Sequence, residues 1–240
     1  MSGHSKWSNI KRKKEKSDAQ KGKIFTKIGR ELSVAVKMGG PDPASNSKLK
    51  ECISKAKSLN VPNENIKNII RKAASGSSES NCESLTYEGY GPENVAFIVS
   101  TLTNNKNRTS SNIRMYFDKS GGGLGSVSFM FDEKGEIIIE KKQNMDEDEV
   151  FNDSLESGAS DFYSDEDSFV LTTEKSDFEN VKREIIGKGY EITSSEIAMV
   201  PKSCYVIRNP EIKEKISNFI DTLENDEDVQ CVWSNYEFEE

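Results

Sequence analysis

The chain has 240 residues, of which 34% are hydrophobic and 31% charged, and its formal net charge is −8, a composition typical of a globular protein with roughly one to three domains. No stretch approaches the about 18 consecutive apolar residues of a membrane span, and the N-terminus lacks the apolar run of a signal peptide, so we expect a cytoplasmic protein with no membrane partner. The four cysteines are scattered and His4 is the only histidine, which argues against a disulfide framework, a multi-histidine metal site and a catalytic triad.

The charge is divided unevenly along the chain. Residues 1–80 carry 18 Lys and Arg against 7 Asp and Glu, a net charge of +11, whereas residues 81–240 carry 15 against 34, a net charge of −19. Such asymmetry is typical of proteins in which one part binds nucleic acid. We therefore expect the phosphate-binding surface in residues 1–80.

Three helices are predicted in the first 80 residues. Between Lys23 and Lys37 apolar residues recur at helical spacing, and Gly39-Gly40-Pro41 ends the run. Similar spacing predicts a second helix over residues 49–56 and a third over 66–73, with Pro62-Asn63 as its start. The Ser/Gly-rich stretch 75–80 is interpreted as a linker. Residues 1–80 are thus predicted to be a basic helical nucleic-acid-binding domain.

The next segment changes to β-branched and aromatic runs. Residues 86–90 and 94–102 predict paired strands, 108–119 a helix, and 126–131 a further strand. The glycines between this helix and strand are not followed by Lys-Ser or Lys-Thr, and their order is the reverse of that in a nucleotide-binding loop. Gly121-Gly-Gly-Leu-Gly-Ser126 is therefore interpreted as a flexible turn or hinge.

Residues 135–203 show a regular order of predicted strands and helices. The predicted order is β-α-β-β-α-β, the split arrangement of ferredoxin-like domains. Its strands fall at 136–140, 161–163, 168–173 and 190–199, and its helices at 146–157 and 176–187. Ser176 and Glu179 predict a capping box on the second helix.

The C-terminal segment is too short to form a domain by itself. A predicted helix at 212–223 and a strand at 229–238 are expected to complete the sheet that begins near residue 85. The predicted fold class is α+β with three domains, an N-terminal helical bundle followed by two α+β domains, one of them ferredoxin-like and inserted in the other. The predicted boundaries are 1–80 for the bundle, 81–134 with 204–240 for the split domain, and 135–203 for the inserted domain.

Basic residues and an indole at the N-terminus suggest how nucleic acid is bound. Ammonium and guanidinium groups neutralise phosphates, and Trp7 can stack on a base, although Trp7 packed on the helical domain is the alternative. Further cations flank the apolar arc of the first helix or lie at the start of the helix near residue 108, where they can reach phosphate. The candidate nucleic-acid-binding residues are His4, Lys6, Trp7, Lys11, Arg12, Lys13, Lys14, Lys23, Lys27, Arg30, Lys106 and Arg108.

Three acidic runs occur at residues 146–149, 165–167 and 224–228. They lack the interleaved glycine of a calcium-binding loop and are interpreted as solvated faces. An enzyme that uses these carboxylates with a metal is the weakest of the functional readings. No catalytic residue, metal ligand or cofactor is assigned, and we do not expect an enzyme.

Several short motifs resemble the YebC/PmpR family in order and spacing over essentially the whole chain. They include Gly3-His-Ser-Lys-Trp7, Lys23-Ile-Phe-Thr-Lys27, Tyr87-Glu-Gly-Tyr-Gly-Pro92, Asn107-Arg-Thr109, Gly125-Ser-Val127 and Asp226-Glu-Asp-Val-Gln230. The resemblance implies a cytoplasmic bacterial protein of three domains with no enzyme activity and no cofactor. This chain departs from the family pattern after Leu124-Gly125, where its loop is about three residues shorter. The resemblance therefore implies no contact for that loop.

The resemblance implies two functions. Members are described as probable transcriptional regulators that bind DNA; the family includes the mitochondrial translational activator of cytochrome oxidase, and some bacterial members resemble ribosome-associated factors that relieve stalling. The absence of a helix-turn-helix pattern weakens sequence-specific duplex readout, and a basic arm with an aromatic residue suits irregular RNA. The candidate partners are DNA or ribosomal RNA, with the ribosome or a basic protein facing the acidic domains as further candidates.

Overall fold

The computed structural model describes residues 18–75, 82–143, 145–165 and 167–238, which form helices and mainly antiparallel sheets. The helices are α1 (Asp18–Gly39), α2 (Ser47–Ser58), α3 (Asn63–Ala74), α4 (Lys106–Lys119), α5 (Glu147–Glu156), α6 (Phe178–Gly187) and α7 (Pro210–Glu224). The strands are β1 (Glu83–Tyr90), β2 (Ala96–Thr103), β3 (Gly123–Leu124), β4 (Phe131–Glu140), β5 (Asp161–Ser164), β6 (Ser168–Glu174), β7 (Ile192–Pro201), β8 (Tyr205–Ile207), β9 (Val229–Ser234) and β10 (Tyr236–Phe238). The predicted α+β class is confirmed.

Helices α1, α2 and α3 pack as a bundle around their own apolar cluster, which includes Ile28, Leu32, Leu49 and Ile66. The turn between α1 and α2 is held by Asn46, whose side-chain oxygen accepts a hydrogen bond from the first turn of α2 at 3.0 Å. Its amide nitrogen also donates to the carbonyl oxygens of Ala35 near the end of α1 and of Gly40 just after it, each at 2.8 Å. A helix N-cap and a helix C-terminus are thus satisfied by one side chain. All three helices predicted from periodicity are confirmed.

The first sheet has the strand order β3-β1-β2-β9, and all its pairings are antiparallel. Strand β9 comes from the C-terminal segment and joins this sheet, as predicted, and its partner there is β2. Helices α4 and α7 cover one face, where Phe97, Phe117 and Phe219 meet edge to face in a fully apolar cluster. The chain therefore leaves this sheet after β3 and returns to it at β9.

The second sheet is formed between those two visits. Its strand order is β5-β6-β4-β7, all antiparallel, with α5 and α6 packed against Ile137, Ile139, Phe169 and Leu171. The order of elements is the predicted β-α-β-β-α-β. The division of the chain into three domains with the stated boundaries stays a prediction.

The strand predicted at residues 126–131 is wrong for all but its last residue. Residues Ser128–Met130 form a 3₁₀ turn, and strand β4 begins at Phe131. The cause is Glu88, whose carboxylate accepts hydrogen bonds from the backbone N–H groups of Val127 and Ser128, both at 2.8 Å. Burial opposes ionisation of Glu88, but these bonds outweigh it and lower its pKa.

The glycine segment after α4 is more ordered than a flexible turn. Gly123 and Leu124 form β3 and pair with the end of β1. At Gly122, a Cβ atom would lie 1.9 Å from the carbonyl oxygen of Tyr90, so only glycine permits this approach of the two backbones.

Two further details differ from the predictions. Helix α6 begins at Phe178 with Asp177 as its N-cap, and the side chain of Asp177 makes no cap hydrogen bond, so the predicted capping box is not formed. The strand predicted at 229–238 is divided into β9 and β10, and the parallel pairing of β10 with β8 was not predicted. Strands β8 and β10 have three residues each, which is too few to show a periodic pattern.

Candidate nucleic-acid interface

The candidate residues from His4 to Lys14 lie outside the described residues. Lys23, Lys27 and Arg30 lie on α1, and Lys106 and Arg108 lie in the first turn of α4. Four of these five side chains meet at residues 224–228, which connect α7 to β9 and are called the acidic loop below. The structure thus brings together cations from two distant parts of the sequence, the two lysines at backbone carbonyls and the two arginines at the carboxylate of Asp228.

The two lysines of α1 bind the C-terminal end of α7. Lys27 Nζ donates to the carbonyl oxygen of Glu224 at 2.8 Å, and Lys23 Nζ donates to that of Asn225 at 3.2 Å. The last carbonyls of a helix have no partner within the helix and lie at the negative end of its dipole. Two ammonium groups are therefore well placed to satisfy them.

Asp228 is the centre of the contact. Its carboxylate accepts hydrogen bonds from Arg30 Nη1 at 2.8 Å and from Arg108 Nη2 at 2.7 Å and 3.0 Å. The hydroxyls of Thr109 and Thr103 add bonds at 2.7 Å and 3.2 Å, and Asp228 is only 2% exposed. Burial disfavours the charged form, but the hydrogen bonds from Arg108 and Thr109 and the charges of both arginines outweigh it, so the pKa of Asp228 is lowered.

Asp226 fixes the shape of the acidic loop. One of its oxygens accepts the backbone N–H of Asp228 at 2.9 Å, and the other accepts from Tyr116 at 3.0 Å and Asn112 at 3.2 Å. Burial and the hydrogen bond to Asp226 raise the pKa of Tyr116 to about 12. The interpretation of residues 224–228 as a solvated face is therefore wrong for Asp226 and Asp228.

Lys106, the fifth described candidate, is exposed at the start of α4 beside Arg108. The outer face of the same helix carries Arg114 and Lys119, which line a shallow groove of about 350 Å³ together with Ser110, Ser111, Met115 and Asp118. Sequence reasoning did not assign Arg114 or Lys119.

The outer surface of the bundle carries more cations than sequence reasoning singled out. Its exposed basic residues are Lys37, Lys48, Lys50, Lys55, Lys57, Lys67, Arg71 and Lys72. Lys55 contacts Glu31 at 2.8 Å, and Lys48 and Lys67 lie 3.6 Å and 3.2 Å from acidic residues one helical turn away. Because the described residues 18–75 hold 12 Lys and Arg against 5 Asp and Glu, these pairs leave the bundle surface positive.

The described residues contain no group of three or more His, Cys, Asp or Glu side chains placed to hold a metal ion. Among them, too, no helix is long and apolar enough to cross a membrane.

A helical bundle whose basic face contacts an acidic loop, joined to two sheets that each carry helices on one face, defines an α+β protein. Residues 5–76 match the family model for the TACO1/YebC protein N-terminal domain, and residues 82–236 match the model for the TACO1/YebC second and third domain. The chain belongs to the TACO1/YebC family, which confirms the resemblance inferred from the sequence motifs.

Relatives of similar length carry regulatory names. A protein of Acetivibrio thermocellus is 49% identical over 239 residues, covering 98% of this chain and 99% of the relative. One of Agathobacter rectalis is 48% identical over 241 residues, covering 99% and 100%. Each is named a probable transcriptional regulatory protein. The crystal structure of a conserved hypothetical protein from Aquifex aeolicus matches with a TM-score of 0.84 and 38% identity, covering 94% of this chain and 93% of that one.

Proposed function

We propose that this protein is a non-enzymatic regulator of gene expression that binds nucleic acid through residues 1–80, with DNA as its target and transcription as the regulated step. The observation that carries the proposal is the net charge of +11 on residues 1–80, set against −19 on the remainder. The names of the relatives, probable transcriptional regulatory proteins, support the same function.

The proposed binding is mainly electrostatic. A protein that engages about 4 to 6 phosphates of duplex DNA should show a log–log salt slope of roughly −4 to −5. Trp7 is proposed to add a stacking contact where bases are accessible, which is worth about 1 to 3 kcal/mol in other proteins. The groups that we propose to bind phosphate are the cations from Lys6 to Lys14, those on α1, and Lys106. Arg108 was a candidate as well, but its guanidinium holds the carboxylate of Asp228.

The rest of the chain is proposed to form two acidic domains, 81–134 with 204–240 and the inserted 135–203. Exposed charges are screened beyond about 8 Å at physiological salt, so acidic surfaces at a greater distance do not prevent the basic part from binding phosphate. They disfavour ligands that would bring a second polyanion against them, which restricts the targets of the basic part.

Structured RNA, as on a ribosome, is the second candidate target. It is favoured by the N-terminal arm, in which Trp7 stands among six Lys and Arg residues within 17 positions. Unstacked bases of RNA loops offer surfaces for such an indole, which the stacked bases of a duplex do not. The experiment below therefore includes both nucleic acids.

The test is the affinity of the full-length protein for a 30-base-pair duplex and for a structured RNA, measured over a range of salt concentrations. The variant replaces Lys11, Arg12, Lys13 and Lys14 with Gln, and we expect weaker binding and a salt slope reduced by up to about 3 to 4. The matched control replaces four exposed cations elsewhere, Lys142, Lys175, Arg183 and Lys215, with Gln. Equal losses of affinity in the two variants, or a wild-type affinity that does not change with salt concentration, would contradict the proposal.

A further inference from the structure

The side chains that make the basic face of α1 are already bound within the chain. Lys23, Lys27 and Arg30 donate hydrogen bonds to carbonyl oxygens of residues 224, 225 and 227, and Arg30 also binds the carboxylate of Asp228. These contacts are called the bundle–loop contact below. The acidic loop presents to α1 a row of acceptor oxygens, as a phosphate backbone would, and these are three backbone carbonyls and one charged carboxylate.

The bundle–loop contact is polar and partly open to solvent. The side chain of Arg30 is 18% exposed, and its second acidic partner, Glu227, lies 3.7 Å away and is 54% exposed. The apolar cluster of the bundle contains only residues between 24 and 73, and none of the apolar clusters in the described part of the chain spans both sides of the contact. The bundle approaches the rest of the chain again at Lys55, whose ammonium group is within electrostatic range of Glu196. Interactions of this kind weaken with salt and can be replaced by those of another polyanion.

Asp228 does not depend on Arg30 for its charge balance. Arg108 binds both of its carboxylate oxygens, and Thr103 and Thr109 donate to one of them. The backbone carbonyl of Asp228 accepts the N–H of Leu102 at 2.7 Å, which ties the loop to strand β2. If Arg30 leaves, the carboxylate therefore keeps a cation and the loop keeps its place. Because the loop is held by α4 and β2, a separation of the bundle from the loop would move the bundle.

We propose that the bundle–loop contact is autoinhibitory, and that the phosphates of a nucleic acid displace the acidic loop from Lys23, Lys27 and Arg30, so that the bundle separates from the loop when nucleic acid binds. The inference rests on the proposed nucleic-acid binding and concerns how that binding is controlled. It predicts two states: a closed state in which these three cations are hydrogen-bonded to the acidic loop, and an open state in which they add to the phosphate-binding surface.

The first experiment follows the distance between the bundle and α7 in the full-length protein. Fluorophores are attached to encoded amino acids at Asn65 on α3 and Asn218 on α7, both of which are exposed. We expect energy transfer to fall when a 30-base-pair duplex or a structured RNA is added. Binding with unchanged energy transfer would overturn the inference and leave the proposed function intact, whereas absence of binding would overturn both.

The second experiment weakens the contact from the loop side. Glu227→Gln removes one partner of Arg30 without touching the hydrogen bonds of Asp228, and we expect nucleic-acid affinity to rise about two- to fivefold, as for the loss of one exposed ion pair. Glu214→Gln, on an exposed position of α7, changes the net charge by the same amount away from the contact. A rise that is no larger for Glu227→Gln than for Glu214→Gln would show that general charge, not the bundle–loop contact, limits affinity, and would refute the inference.

Discussion

Replacement of Asp228 by Asn tests whether the cation cluster at the acidic loop stabilises the fold. The substitution keeps the shape of the side chain but removes the charge shared by Arg30 and Arg108. It also replaces one acceptor oxygen with an NH₂ group. If that group takes the position of Oδ1 it faces both arginines, and at Oδ2 it faces Arg108 and two threonine hydroxyls. Either orientation therefore sets donors against donors.

The expected loss of stability follows from burial. Removal of one partner from a fully buried ion pair costs about 3 to 5 kcal/mol. Here Asp228 is buried, but the side chains of Arg30 and Arg108 are 18% and 48% exposed, so water recovers part of their solvation. We expect Asp228→Asn to lower the free energy of unfolding by about 2 to 4 kcal/mol.

The assay is urea unfolding followed by tryptophan fluorescence in a Trp7→Phe background, in which Trp233 on β9 is the remaining indole. The matched control is Asp132→Asn, because Asp132 forms an exposed ion pair with Lys202 at 3.4 Å and should contribute less than about 1 kcal/mol. A loss for Asp228→Asn no larger than that for Asp132→Asn would refute the view that the Asp228 cluster stabilises this part of the chain.

Two further predictions concern the pH dependence of stability and the close approach of two backbone segments. Because the pKa of Asp228 is lower in the folded state than the usual unfolded value of about 3.9, its stabilisation is complete above that value and is lost as pH falls through the folded pKa. The difference in unfolding free energy between the wild type and Asp228→Asn should therefore shrink from pH 7 to about pH 3. An unchanged difference would contradict the lowered pKa of Asp228. Gly122→Ala should cost about 2 to 4 kcal/mol in the same urea assay, because its Cβ would overlap the carbonyl oxygen of Tyr90. Gly187→Ala, where no atom lies within 4 Å of the new Cβ, should be neutral or stabilising, and equal effects would argue against the overlap.

Elements with a clear apolar period could be predicted from the sequence. The three bundle helices and the β-α-β-β-α-β order follow from periodicity and glycine positions alone. The error at residues 126–131 arose because two backbone N–H groups there are bound by Glu88, about 40 residues earlier in the chain. A local pattern carries no information about such a distant acceptor.

The candidate site was predicted in its charges but not in its partners. Arg30 and Asp228 are 198 positions apart, and nothing in the local sequence around either residue indicates their contact. The motif Asp226-Glu-Asp-Val-Gln230 was noted as part of the family resemblance, but its carboxylates were interpreted as solvated. What distinguishes Asp228 from an exposed Asp is its burial beside Thr103 and Thr109, which only the packing of α4 against β2 and β9 creates.

The acidic runs of the chain therefore act in different ways. Asp146 is the N-cap of α5 and accepts the backbone N–H of Asp148 at 2.9 Å, and the acidic residues that follow lie in the first turn, at the positive end of the helix dipole. Those carboxylates stabilise a helix and face solvent, where salt screens them beyond about 8 Å. In the acidic loop, Asp228 accepts hydrogen bonds from both arginines, Asp226 accepts them from Tyr116 and Asn112, and the carboxylate of Glu227 lies 3.7 Å from Arg30. A polyanion that approaches the basic face of α1 thus competes mainly with this one loop, and the net charge of −19 on residues 81–240 overstates the repulsion that it meets.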